Sequence, residues 1–479
     1  MRFKTLVAAM LIAAAIPSHT EGLPDLGDTS EAALPIRQER ALGQEIMREI
    51  RADRSFVDDP ELRAYVQNLG SRLVQAGAPT TQDFEFFLID DPSLNAFALP
   101  GGYVGVHTGL ILATQSESEL AGVLAHEIAH VTQRHIARII AGQKGSLLTS
   151  LAALAVAILA SRSNSQVSEA AIATAQATSI QNQLDFTREH EQEADRVGLQ
   201  TMVNAGFDAR GMATFFERLQ RSTRPIESNA PSYLRTHPLT IERIADIQNR
   251  LDKIPPRQVP DSIDFLMAKA KIRALTGTPQ EALKYFEAPA TETTNVRIAR
   301  LYGTGAALRR SHDLAGAEKQ IAQLRGLKVQ NPMVETLAAG IKRDQQQYAA
   351  AIDIYRNGLR LFPQYKTLFY GQVETQLEQK NFQDALAAVN DRLLNGQDDE
   401  KLYELQSRIY AATGKRLLQH KAQAEVYYRR GDLPAAADQL QIAIKSGDGD
   451  FYQVSSAEAR LRQIKTEIGP KKPGDRQRP

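Results

Sequence analysis

Ala317, Ala351 and Ala385 recur at steps of 34 residues, each near the start of a helix-favouring run: Leu314-Ala315-Gly316-Ala317, Tyr348-Ala349-Ala350-Ala351 and Phe382-Gln383-Asp384-Ala385. A fixed period of this length marks a solenoid. One helix pair cannot bury its apolar face alone, so neighbours must stack into a continuous core. Small residues at matched positions let the paired helices approach closely. Pro279-Gln280-Glu281-Ala282 fits one register earlier with a one-residue slip, and Gly431-Asp432-Leu433-Pro434-Ala435-Ala436 fits later, after a half-repeat excess. Pro332 and Pro363 punctuate the turns. An array of this kind binds peptides or partners on its concave side and carries no chemistry of its own.

Chemistry must therefore come from the other half, where His126-Glu127-Ile128-Ala129-His130 stands out. On a helix, an HExxH run puts both imidazoles on one face, one turn apart, where they can share a metal. Zinc lowers the pKa of a bound water to about 7, and Glu127 is placed to take its proton as it attacks a carbonyl. The setting is helical: Ser116-Glu117-Ser118-Glu119 reads as a capping box, and Leu120, Val123, Leu124, Ile128 and Val131 follow at helical spacing. Structural zinc has no use for a glutamate at this position.

A catalytic zinc site takes three protein ligands and one open position. The third ligand is expected from a second helix, running from about Gln181 to Val203 and stopping at Gly206. Charge alone leaves Glu189, Glu191 and Glu193 open. Glu191 and Asp195 are four apart and share a face, so one could bind the metal and the other hold a ligand histidine.

HEIAH followed about sixty residues later by Glu191-x-x-Ala194-Asp195 resembles the zinc peptidase family that includes the HtpX-like and CAAX-prenyl proteases. The resemblance implies a gluzincin-type domain with one Zn2+ per chain, Glu191 as the third zinc ligand and Asp195 as a supporting residue. Asn95-Ala96-Phe97-Ala98-Leu99-Pro100-Gly101-Gly102-Tyr103-Val104-Gly105-Val106 reads as two short strands around a Gly-Gly turn. It resembles the family segment before the zinc helix, where a strand edge can hold an extended substrate by main-chain hydrogen bonds. Asn95, Ala96, Phe97, Ala98, Gly101 and Gly102 are the candidate edge residues. Arg235-Thr236-His237-Pro238-Leu239-Thr240-Ile241-Glu242-Arg243 resembles a segment of the periplasmic members. There the histidine, His237 here, either blocks the open metal position as a fourth ligand or stabilises the oxyanion. His190 and His135 are expected to be exposed, His135 because five residues past His130 turns it off the ligand face.

The 479 residues suggest two or three domains. The reading divides them into an export signal (1–20), a zinc metallopeptidase domain (21–252), a turn-rich linker (253–262), a repeat domain (263–468) and a disordered tail (469–479). The fold class is mainly α, with a small sheet or hairpin in the peptidase half and a tetratricopeptide (TPR) solenoid, whose repeat length is 34, in the second. Arg2 and Lys4 precede an apolar run from Leu6 to Ile16, shorter than the about 20 residues that span a bilayer. Cleavage of this signal is expected between about Ala15 and Thr20. The absence of cysteine excludes disulfides and a lipid-modified cysteine. The apolar run at 147–160 is also short for spanning and reads as a buried helix or a flap over the site, with peripheral contact to a membrane or barrel as the alternative. Lys+Arg number 57 against Asp+Glu 56, a balance that gives no reason to expect nucleic acid.

The order of segments resembles periplasmic zinc metalloproteases that carry TPR repeats. That resemblance implies a periplasmic endopeptidase with a chaperone-like part in assembly and quality control of outer-membrane β-barrel proteins. Misassembled barrels would be its substrates, and the repeats would engage the barrel-assembly machine. The rival reading is a binding scaffold or chaperone with a closed or structural metal centre.

Overall fold

Apolar residues on every side of a segment demand burial from every side, and the HEIAH helix, Glu117–Thr132, is buried along its length from Glu117 to Val131. The computed structural model of the chain describes residues 31, 34–142, 188–223, 232–287, 291–397 and 399–468. The expected export signal, the apolar run at 147–160, the tail and the first residues of the second expected helix lie outside them. Ser116 caps the HEIAH helix by accepting from Glu119 N at 3.2 Å. The reciprocal half of the expected capping box is displaced by one residue: the Glu119 carboxylate accepts from Gln115 N, and Arg218 holds it from the other side.

Three helices close around this one: Pro60–Ala76, Arg188–Asn204 and Arg210–Thr223. The crossing with Arg188–Asn204 is tight because Gly198 has no side chain; a Cβ there would lie 3.1 Å from the backbone nitrogen of His126. A small sheet of order β1-β3-β2 covers a further side. Strand β1 (Glu85–Ile89) runs parallel to β3 (Tyr103–His107), and β2 (Ala96–Leu99) runs antiparallel to β3 with Ala96 opposite Val106. The Gly-Gly turn between β2 and β3 has φ of 78° at Gly101 and 83° at Gly102, the left-handed region that favours glycine. Strand β2 is an edge, and it packs against the HEIAH helix. Strand β1, a continuous apolar run without alternation, is an addition to the expected hairpin.

The second half is an α solenoid of helix pairs from Ile263–Leu275 to Phe451–Ile468. Equivalent helices begin at Leu314, Tyr348, Phe382 and Arg416, again 34 apart. Ala317, Ala351 and Ala385 are fully buried between paired helices. The turn before each of these helices carries a left-handed residue at the same step: His312, Gln346, Lys380 and Gly414. The half-repeat excess at Leu433 has a plain cause. The register continues at Arg416–Arg429, and Leu433–Lys445 is the partner helix of that pair. Among the described residues, no helix is long and apolar enough to cross a membrane.

Candidate metal centre

His126 and His130 lie one turn apart on the buried face of the HEIAH helix, with Nε2 atoms 3.0 Å from each other. Glu191, from the first turn of Arg188–Asn204, reaches between them: its carboxylate oxygens lie 3.4 Å from His126 Nε2 and 3.3 Å from His130 Nε2. His237, just past the short helix Ser232–Thr236, adds Nδ1 at 3.4 Å from His126 Nε2 and 2.9 Å from Glu191 Oε1. All four residues are buried. That short helix is docked through Tyr233 N, which donates to Leu94 O just before β2, and His237 N donates to Tyr233 O. The Tyr233 ring stacks on the His237 ring at 4.7 Å.

Three imidazole nitrogens and a carboxylate facing one point is an arrangement suited to a shared cation. Zinc bonds of about 2.0–2.1 Å in a tetrahedron set donors about 3.3–3.4 Å apart, close to the 2.9 to 3.4 Å found here. The donor set therefore fits zinc. Asp195, one turn further along, sits 2.9 Å from His126 Nδ1 and is held in turn by Arg243. Glu127 is fully buried beside the donors; burial pushes its carboxyl above the ordinary range, and His237 Nε2, 3.5 Å away, partly offsets this. Neither carboxylate oxygen has a well-formed hydrogen bond.

Two expectations about histidines are corrected. His135 is fully buried, and its Nδ1 lies 2.8 Å from Nδ1 of His130. The HEIAH helix ends at Thr132, Arg134 turns the chain with φ of 52°, and a new helix, His135–Gly142, swings His135 back to the ligand. An offset of five on a continuous helix would have turned it away. Burial lowers the His135 pKa to about 4, so its ring is neutral. His190 is also buried, stacked on His135 at 4.5 Å. Arg243 lies inside the segment read for His237 but had no expected role. At the start of an amphipathic helix an arginine reads as solvated, and no signal in the sequence marks it as buried. Gly101 and Gly102 form the hairpin turn against Arg40 and Asp83, whereas Ala98 is the strand residue whose backbone N–H acts on Glu127.

Helix-borne histidines, a carboxylate from a crossing helix and a repeat array behind them define a metallopeptidase joined to a protein-interaction solenoid. Residues 59–251 match the model of peptidase family M48, and residues 342–409 match a tetratricopeptide repeat. The chain is 34% identical over 469 residues to the beta-barrel assembly-enhancing protease of Escherichia coli (strain K12), a match covering 96% of this chain and 95% of that one. A putative beta-barrel assembly-enhancing protease of Vibrio cholerae is 42% identical over 275 residues, 57% of each chain. The mitochondrial metalloendopeptidase OMA1 of Schizosaccharomyces pombe is 28% identical over 256 residues, 52% of this chain and 72% of that one. The chain belongs to peptidase family M48, with the beta-barrel assembly-enhancing proteases. It is a metalloendopeptidase, and the family implies zinc.

Proposed function

We propose that His126, His130 and Glu191 hold the zinc ion, that Glu127 is the general base and then the proton donor, and that Asp195 orients His126. A zinc ion held there supplies Lewis acidity, polarising a carbonyl oxygen and lowering the pKa of water to about 7. Glu127 removes the proton of the attacking water and returns it to the leaving amine. Its burial raises its pKa toward the range in which a carboxyl can do both. Edge strand β2, through Asn95, Ala96, Phe97 and Ala98, holds an extended substrate chain by main-chain hydrogen bonds beside Glu127, while the turn at Gly101 and Gly102, whose main-chain groups pair with Glu39, Arg40 and Glu85, fixes the hairpin. His237 is a fourth donor in the resting arrangement. With His126, His130 and Glu191 holding the ion, His237 would stand where a substrate carbonyl would otherwise bind, and its withdrawal would open that place.

The observation that carries the reading is the convergence of His126, His130 and Glu191 donors within 3.4 Å of one another with Glu127 buried alongside. We further propose a periplasmic protein that cuts outer-membrane β-barrel proteins that stall and helps others assemble, through contacts of its repeat half with client or assembly machine. Two cavities of about 550 and 560 Å³ between the array and the helix Pro60–Ala76 offer room for a peptide segment. Glu127→Gln should retain its zinc by elemental analysis and its unfolding midpoint, and lose cleavage of an unfolded protein by about 10²–10⁴-fold. Cleavage surviving in the zinc-loaded variant overturns the assignment. Rescue of a barrel-assembly defect by the same variant separates a chaperone activity from cutting; failure to rescue ties the two together.

A further inference from the structure

The two ligand histidines are held from behind in different ways. His126 Nδ1 meets a carboxylate directly, that of Asp195. Behind His130 stands a second imidazole: His135 Nδ1 is 2.8 Å from His130 Nδ1, and His135 Nε2 is 3.2 Å from Glu193 Oε2. Arg138 anchors Glu193 at 2.7 Å, and the His190 ring stacks on His135. The proton positions in this chain follow from one another. Two ring nitrogens 2.8 Å apart need one proton between them. If His130 turns the lone pair of Nε2 to the ion, its Nδ1 carries that proton and His135 Nδ1 accepts it. His135 Nε2 must then carry the remaining proton, and it faces a carboxylate.

We propose that His135 and Glu193 form a relay that fixes the tautomer and ring orientation of His130, and so sets how tightly the centre holds its ion. Both are positioning residues. The inference rests on the metal reading of His126, His130 and Glu191 given above. Glu191 and Glu193, two apart on one helix, divide the work: Glu191 points into the centre, and Glu193 points to the outer end of the relay. Supporting partners of this kind are worth about 10- to 100-fold in metal affinity.

Competition of the full-length protein against a fluorescent zinc chelator tests this. His135→Phe keeps the ring volume and removes the acceptor, and zinc should bind about 10- to 100-fold more weakly. His135→Asn places an amide oxygen near the former Nδ1 and should recover most of the loss. Glu193→Gln, at the partly exposed end of the relay, should weaken binding in the same direction without disturbing the fold. In zinc-loaded protein labelled with nitrogen-15 histidine, the His130 Nδ1–H proton should be protected in wild type and in His135→Asn, and exchange with solvent in His135→Phe. Wild-type affinity in both His135→Phe and Glu193→Gln, or an asparagine variant no better than phenylalanine, overturns the relay. His130→Ala is the control: if it leaves zinc uptake unchanged, the metal reading itself falls, whereas loss of uptake there with unaffected His135 variants removes the relay alone.

Discussion

Arg243 is 1% exposed, and its guanidinium spans three partners. Nε and Nη2 meet the two Asp195 oxygens at 2.7 and 2.8 Å, and Nη1 meets Glu191 Oε2 at 2.6 Å and Pro238 O at 2.8 Å. Burial works against this charge, but Asp195 and Glu191 outweigh it and raise its pKa. One side chain thus ties the ligand helix to the backbone next to His237. Arg243→Met leaves two buried carboxylates without their cation, and removing one partner of a buried pair costs about 3–5 kcal/mol. The metal-free variant should unfold well below wild type; an unchanged midpoint sinks the argument. The sequence displayed this site unevenly. HExxH is legible because both ligand positions share one helix and a fixed spacing. Glu191 was singled out by resemblance, since its neighbours Glu189 and Glu193 carry the same charge and only the crossing angle separates them. Arg243 and His135 depend on where the chain folds back, which no local pattern records.

At the scale of elements, the hairpin that edges the site hangs on its turn. Gly102 has φ of 83°, and a Cβ there would sit 2.0 Å from the carbonyl oxygen of Asp83, whereas Gly396, with φ of 78°, has nothing within 4 Å of its missing Cβ. The two glycines share a backbone strain and differ in room. Gly396→Ala should cost only the strain, about 1–2 kcal/mol, while Gly102→Ala adds a backbone clash and should cost clearly more in thermal unfolding. Equal losses would mean the turn yields freely, and β2 would then be poorly placed to hold a substrate. The hairpin was legible from Gly101-Gly102 between apolar runs, and the array from alanines that must be small wherever helices touch. Strand β1 was not: Glu85-Phe86-Phe87-Leu88-Ile89 is buried on both faces and shows no alternation to distinguish it from a helical core segment.

At the scale of the whole molecule, the two halves share a core. On the first array helix, Ile263–Leu275, Phe265, Ala268 and Ile272 pack into the peptidase core, while Met267, Ala270 and Ala274 pack into the array. A charged clamp lies alongside. Lys271 Nζ is 2.6 Å from both Asp59 and Glu61 at the start of Pro60–Ala76, and Thr336, from deeper in the array, donates to Glu61 at 2.5 Å. Burial lowers the Lys271 pKa, but Glu61 and Asp59 outweigh it, so the folded value lies above the unfolded one. A raised folded pKa means that the clamp's contribution is whole below the unfolded lysine value of about 10.4, and fades as pH climbs through the folded value. Lys271→Met should therefore lower stability by about 1.5–3 kcal/mol at neutral pH, with faster proteolysis in the non-helical stretch at 255–262 as the halves part. That difference between variant and wild type should stay constant up to about pH 10 and shrink only beyond it. No gap at neutral pH, or one that stays open undiminished well above about pH 11, would show that the Lys271 charge does not carry the contact and that the array is held by another means.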